Sequence, residues 1–287
     1  MKTTKSLYHY GFLIPAGLVF FVFFLLPTIV SFFFSLTRWT LAEWEFIGLE
    51  NFRMFFQESS LNIGFRNTFI YAVMTSGMKV ILALLLAVLL TSAIRTKHFL
   101  RSVVFFPTLI STVAVGITFS YMMHPTRGII NQALAWFGIQ GPNWLGNPDL
   151  AIYSVALVDI WKGVGFATVI YIAGIMSISS HYYEAVEIDG GGAFRKFWHI
   201  TLPLVRPAMN TVIVLSFIGG LRTFDLVWTM TKGGPGFSSD LIASIIYKQY
   251  QGGFYGLSTA GNVILFVIVA VLAFPLYKFL TKREVEL

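Results

Sequence analysis

The sequence contains no cysteine, and Asp, Glu, Lys and Arg together make up only 11% of its 287 residues. Without thiols there is neither a disulfide framework nor a cysteine-based metal site. The five histidines (His9, His98, His124, His181 and His199) are scattered and lack the close pair spacings that zinc prefers. No G-x-x-x-x-G-K-[ST] phosphate loop occurs, so the chain cannot hold ATP by that device. No metal or cofactor of its own is expected. A dense basic patch is also missing. The net charge is +7, yet the basic residues sit at the ends of apolar runs, which argues against nucleic-acid binding. Repeats, low-complexity tracts and a soluble domain are not visible either.

What is present is apolar. Hydrophobic residues make up 56% of the chain and mean hydropathy is +0.74. A soluble domain of this length would still have to present a polar skin to water. The apolar residues come in runs long enough to cross a bilayer as helices, the form in which a segment satisfies its own backbone hydrogen bonds. Six spans are expected, at about 11–36, 63–93, 102–123, 151–178, 208–230 and 261–280. The first is longer than a signal-peptide core and no A-x-A-like site follows, so it reads as a retained span. The whole chain, 1–287, reads as one all-α, polytopic membrane domain.

Lys and Arg placement sets the orientation. One side collects Lys2, Lys5, Arg95, Lys97, Arg101, Arg195, Lys196, Arg206, Lys278, Lys282 and Arg283; the other has only Arg38, Arg53, Arg127, Lys232 and Lys248. Both termini are therefore expected in the cytoplasm. Trp39, Trp44, Trp136 and Trp144 fall in the outer loops, where anchoring at the membrane interface explains them better than ligand contact.

The most informative segment lies between the fourth and fifth spans, in cytoplasmic loop 180–206. Ser180 is expected to cap a short helix whose first turns hold Glu184 and Glu187, near the positive end of its dipole. Gly190, Gly191 and Gly192 break that helix, which restarts around Ala193–Ile200. Pro203 and Pro207 then mark the return to the membrane. The product is a helix–turn–helix elbow with Ala185 and Ile188 on one apolar face. From physics alone, a docking surface and an ordinary solvated loop both fit.

Glu184-Ala185-Val186, Asp189-Gly190-Gly191 and Ile200-Thr201-Leu202-Pro203 resemble the EAA loop of binding-protein-dependent ABC importer permeases. That pattern runs Glu-Ala-Ala, Asp-Gly-Ala and Ile-x-Leu-Pro; Val186 and Gly191 depart from it. Nearly the whole chain is similar to the carbohydrate branch, of the maltose-type larger-permease kind. Ile47–Phe52, Arg66-Asn67-Thr68, Phe106-Pro107, Gly128–Asn131 and Gly233-Gly234-Pro235 carry that likeness. The extra spans and large extracellular insert of the maltose subunit are missing, which suits a compact six-span version.

The resemblance implies the ABC type I importer permease fold, in a bacterial or archaeal cytoplasmic (inner) membrane. It implies a permease subunit rather than an enzyme, paired with a second, related six-span permease as a heterodimer. Its other partners would be two ATPase subunits, which bind the ATP and Mg, an extracytoplasmic solute-binding protein, a sugar or oligosaccharide and the bilayer. The residues coupling it to the ATPases would be Glu184, Ala185, Asp189, Gly190, Leu202 and Pro203. The binding protein would dock on Gly233, Gly234 and Pro235 and on 127–144.

Lys79, Asp159, Lys162, Arg222 and Asp225 are ionisable residues in or beside spans, where facing lipid is costly. Asp159/Lys162 and Arg222/Asp225 are i,i+3 pairs, so mutual neutralisation stands beside a functional reading. In the functional reading Asp159, Gly163 and Phe166 form one face of the fourth span: an acceptor, a gap and an aromatic platform. Gly219, Gly220, Thr223, Phe224 and Asp225 supply the matching region of the fifth. Sugars bind through hydroxyl hydrogen bonds and stacking of their C–H faces, which suits such a surface. Three rival readings remain: the same architecture importing glycerol phosphate or a polyol, an ion-driven secondary carrier using Asp159 or Asp225, and a polytopic membrane enzyme. The last would need clustered carboxylates or histidines, and Glu184/Glu187/Asp189 is better explained by the elbow.

Overall fold

A computed structural model describes residues 10–282 except Leu41 and Ser59. The expected cytoplasmic charges Lys2, Lys5 and Arg283 lie outside the described residues. The protein is mostly helical. In chain order the elements are α1 (Gly11–Phe34), β1 (Thr37–Trp39), β2 (Trp44–Phe46), α2 (Glu50–Gln57), α3 (Leu61–Thr91), α4 (Lys97–Leu109) and α5 (Thr112–Met122). There follow α6 (Ile129–Trp136), α7 (Ala151–Met176), α8 (Ser180–Ile188), α9 (Ala193–Leu204), α10 (Arg206–Leu221), α11 (Asp225–Met230), α12 (Ile242–Gln251) and α13 (Tyr255–Thr281).

Four described helices (α1, α3, α7 and α13) are long and apolar enough to cross a membrane, and the number rises to six if each of two bent pairs is one span. Those pairs are α4/α5, bent by 96°, and α9/α10, bent by 66°. The expected third span is therefore not one straight helix: Ile110 and Ser111 leave the helical conformation between its halves. Pro107, inside the last turn of α4, removes a backbone donor just ahead of that break. The expected fifth span likewise stops at Leu221 and resumes only at Asp225. The expectation of an all-helical chain also needs amending, because Thr37↔Phe46, Arg38↔Glu45 and Trp39↔Trp44 pair in a short antiparallel hairpin.

Two wide turns have a common local cause. Phe21–Leu25 and Phe197–Thr201 are π-type turns, and Pro27 and Pro203 follow two residues after each. A proline ring cannot donate to the carbonyl one turn back, and the helix relieves the clash by widening there.

The chain forms two compact units. The first takes in the chain up to Glu58 together with Ile246–Ile264. There Asn51 donates to the carbonyls of Ser35 and Thr37 at 2.9 and 2.7 Å, tying α2 to the start of the hairpin. Trp39 stacks on Phe34 with ring centroids 4.3 Å apart. Trp44 packs edge-on against Phe33, and Trp136, in the second unit, is exposed.

The second unit spans Ser59–Ile245 and Leu265–Leu287. Its axis is the packing of α3 along α7. Near their N-terminal ends Tyr71 meets Ile152, Val155 and Val158. Near their C-terminal ends Leu84, Ala87 and Leu90 meet Tyr171, Ile172 and Ile175. The two helices therefore run parallel. α10 runs the opposite way, with Val212 in the second cluster and Phe217 and Leu221 beside Ala72. Small residues permit these approaches, as is usual where helices meet in lipid. A Cβ on Gly220 would lie 2.7 Å from the Ala72 Cα, and one on Gly165 would strike the Val104 carbonyl.

Candidate functional site

Within the second unit, five helices line a cavity of about 270 Å³. α3 contributes Lys79; Thr108 and Thr112 flank the α4/α5 bend; α7 contributes Asp159, Lys162, Gly163, Phe166 and Ile170; and α10 contributes Val212, Leu215, Ser216 and Gly219. Lying between the two ends of α7, it occupies the middle of the span. Such a level suits transporter substrate sites, which gather where helices break.

Its dominant polar feature is an ion pair. Lys79 Nζ lies 2.8 Å from Asp159 Oδ2, with the two side chains only 10% and 17% exposed. The local pairs expected from i,i+3 spacing are not formed: among the described residues no ion pair joins Asp159 to Lys162 or Arg222 to Asp225. The cross-helix partner wins because Lys79 and Asp159 face one another where α3 and α7 pack. Gly163 acquires a different role with it. A Cβ there would lie 2.7 Å from Lys79 Cε and 3.0 Å from Nζ, so the gap opposite Gly163 is filled by the lysine.

Other polar groups extend this wall. Thr108 donates to the Lys162 carbonyl at 3.1 Å, securing the α4/α5 bend to α7. Tyr71, Thr75 and Lys79 lie at successive four-residue steps on α3, and all are buried. Tyr71 sits near Asp159 and Thr223. The Thr75 hydroxyl has no hydrogen-bond partner among the described residues.

Of the substrate-path residues expected from sequence, Asp159, Gly163 and Phe166 come together on the cavity wall, whereas Gly220, Thr223, Phe224 and Asp225 do not line it. Gly220 faces α3, where the helices touch. Thr223 donates to the Gly219 carbonyl at 3.0 Å, Phe224 stacks on Trp228, and Asp225 heads α11. Sequence reasoning missed Thr108, Thr112 and Ser216, which become neighbours only once α4, α5 and α10 are bent and packed.

The elbow projects from the C-terminal end of α7. α8 begins at Ser180, so Ser179 holds the capping position and makes no side-chain cap. Glu184 and Glu187 are therefore past the first turn, and their partners are local. Glu184 lies 3.5 Å from His181 Nδ1, and Glu187 pairs with Lys196 of α9. The break follows expectation: Asp189 closes α8, and Gly190 takes φ +73°, where a side chain would be strained. Leu202 and Pro203 carry α9 into its bend. Ala185 is exposed, as are Ile188 at 87% and Phe194 at 78%.

At the opposite end of α10 the Gly233-Gly234-Pro235 turn is compact. Gly233 has φ +85° and is buried, and a Cβ there would strike the Asp240 carboxylate. Thr231 and Ser239 bond each other at 2.8 Å, and Ser239 donates to the Gly234 carbonyl at 2.6 Å. Asn67 of α3 donates to the carbonyls of Ser238 and Asp240. Gly233 thus shapes the turn, while Gly236 and Phe237 present its surface. In the adjoining loop Trp144 donates to Asn131 at 2.6 Å, which braces the loop.

A larger cavity of about 540 Å³ lies within the first unit, beside Trp39, Glu58 and Phe254. Several of its polar groups already have partners: Gln249 bonds Glu58 within the lining, while Arg38 pairs with Glu45 and Asn51 with the carbonyls of Ser35 and Thr37 outside it. The mid-span cavity is the better candidate.

A long bent-helix domain with a polar cavity at mid-span and an apolar elbow at one end defines a solute permease. Residues 79–285 match the model of the binding-protein-dependent transport system inner membrane component. The chain belongs to that family. It is 30% identical over 277 residues to the trehalose/maltose transport system permease protein MalF of Thermococcus litoralis, covering 94% of this chain and 92% of that one. With the arabinooligosaccharides transport system permease protein AraP of Bacillus subtilis it shares 31% identity over 274 residues, covering 93% and 87%. Among solved structures, a chain of the bacterial alginate ABC transporter, determined with an alginate pentasaccharide-bound periplasmic protein, aligns with TM-score 0.79 and 25% identity over 94% of this chain and 91% of that chain.

Proposed function

We propose that this chain is the membrane-spanning permease subunit of an ATP-driven importer for a sugar or oligosaccharide, forming half of its pathway. The relatives named for trehalose/maltose and arabinooligosaccharides, and the neighbour named for alginate, support a saccharide cargo. The observation that carries the reading is the elbow: a glycine-hinged segment between two spans with Ile188 and Phe194 uncovered. Such a face is suited to docking in a partner's groove.

In this mechanism the partner ATPase subunits seat the elbow, Glu184 anchors it, and Asp189 and Gly190 set its turn. Closure of the ATPases moves α8 and α9 as a lever. The bend at Val205 passes that motion to α10, one wall of the cavity, and alternates access to it. An extracytoplasmic binding protein delivers cargo to the face carrying Gly236 and Phe237, and a second permease completes the pathway. The chain lies in a bacterial or archaeal cytoplasmic membrane with both termini inside. In the cavity Phe166 offers a platform for a sugar's C–H face and Thr112 and Ser216 offer hydroxyls. An ion-coupled carrier would want Asp159 free for its ion, and Lys79 already holds that carboxylate.

The test is ATP-driven sugar uptake by the complete complex carrying Glu184→Lys and Gly190→Pro together. Loss of uptake with normal membrane insertion is expected; undiminished uptake rejects the elbow as the coupling device.

A further inference from the structure

We infer that the cavity selects a saccharide bearing a negative charge, and that Lys162 is the residue that reads it. This rests on the importer reading and names its cargo more closely. Three ionisable side chains line the cavity. Lys79 and Asp159 neutralise one another at 2.8 Å. Lys162 remains, and among the described residues it forms no ion pair. The cavity wall that this chain supplies is therefore net positive.

The position makes that charge expensive to keep. Lys162 lies near the middle of the 26-residue α7, roughly 39 Å long at about 1.5 Å per residue. A lysine near a helix end can snorkel to the interface, but one at mid-span cannot reach either end. An intramembrane cation without a counter-ion in its own chain calls for one from the molecule that enters. Phe166, one turn further along α7, is half exposed for the apolar face of a sugar ring. The hydroxyls of Thr112 and Ser216 line the same wall and form no side-chain hydrogen bond among the described residues. An apolar platform, free hydroxyls and one cation together match a sugar acid or a sugar phosphate better than a neutral sugar.

The absence of cysteine supplies the assay. In the complete complex in nanodiscs, Ser216→Cys gives this chain a single thiol on the cavity wall. Its labelling by a small maleimide is followed while sugars are added in matched pairs. Digalacturonate is set against its carboxyl-reduced counterpart, and glucose 6-phosphate against glucose, which separates carboxylate from phosphate cargo. The expected result is protection by a charged sugar at a concentration at least about tenfold lower than by its neutral partner. Lys162→Gln should abolish that preference and Lys162→Arg should retain it. Equal protection by both members of each pair, or a preference that survives Lys162→Gln, overturns the charge selection and leaves the sugar-importer reading intact. A complex that assembles only with Lys162 and still favours neutral sugars would assign the counter-ion to the second permease, and overturns it too. If no saccharide protects and ATP drives no sugar uptake, both readings fall.

Discussion

Around the cavity, charge is buried and paired between helices far apart in sequence; on the elbow, charge is exposed and paired locally while apolar side chains stand in the open. Lys79 and Asp159 are 80 residues apart and nearly enclosed, whereas Glu187 and Lys196 are nine apart and Glu187 is mostly exposed. The first arrangement suits a wall that must hold its shape while a polar solute passes. The second suits a surface completed by another protein. The two regions are opposites: charge is enclosed in one, and apolar side chains are uncovered in the other.

That contrast can be broken most forcefully at the ion pair. Asp159→Ala leaves a buried lysine without its anion, and a loss of about 3–5 kcal/mol of stability is expected. Adding Lys79→Met should recover most of it, and thermal unfolding of the purified complex measures both arms. If Asp159→Ala alone melts like the native protein, the wall is not held by the pair. Next in size is Gly220→Val, whose side chain would collide with the Ala72 backbone; overpacking of this kind costs about 1–3 kcal/mol and should lower the melting temperature. The elbow behaves differently. Gly190→Ala forces a side chain into φ +73° at a cost of roughly 1–2 kcal/mol, felt mainly in the elbow. Transport-coupled ATP hydrolysis should therefore fall more than the melting temperature does. Smallest of all is Glu187→Gln, which removes a solvent-facing pair and should change stability by less than about 1 kcal/mol. A large effect there would mean the elbow is rigidified by that pair rather than by its partner.

Much of this was legible before any coordinates. Apolar runs placed the spans, since a 31-residue helix at Leu61–Thr91 leaves a long run of Leu, Ala and Val that no loop could carry. The elbow was readable because its determinants are local: three glycines, then prolines, within one stretch. The cavity was half readable. The i, i+4, i+7 face of α7 gave Asp159, Gly163 and Phe166, but helical spacing says nothing about the helix opposite. Asp159 therefore seemed matched to Lys162, its neighbour in sequence, when the closer cation comes from α3. The break at Ile110–Ser111 was hidden as well, because both flanks are apolar and Pro107 is compatible with a continuing helix. The hairpin at Thr37–Phe46 is three residues a side, too short to show an alternating pattern.

The most direct measurement uses the exposed tip of the elbow. Ile188→Cys places a thiol in a chain that has none, on a side chain with no packing to lose. In intact cells it should resist a membrane-impermeant thiol reagent, and in inverted vesicles it should crosslink to the ATPase subunits, with a yield that changes when ATP is added. Labelling from outside intact cells, with no crosslink to an ATPase on the inner side, would contradict the account at its centre.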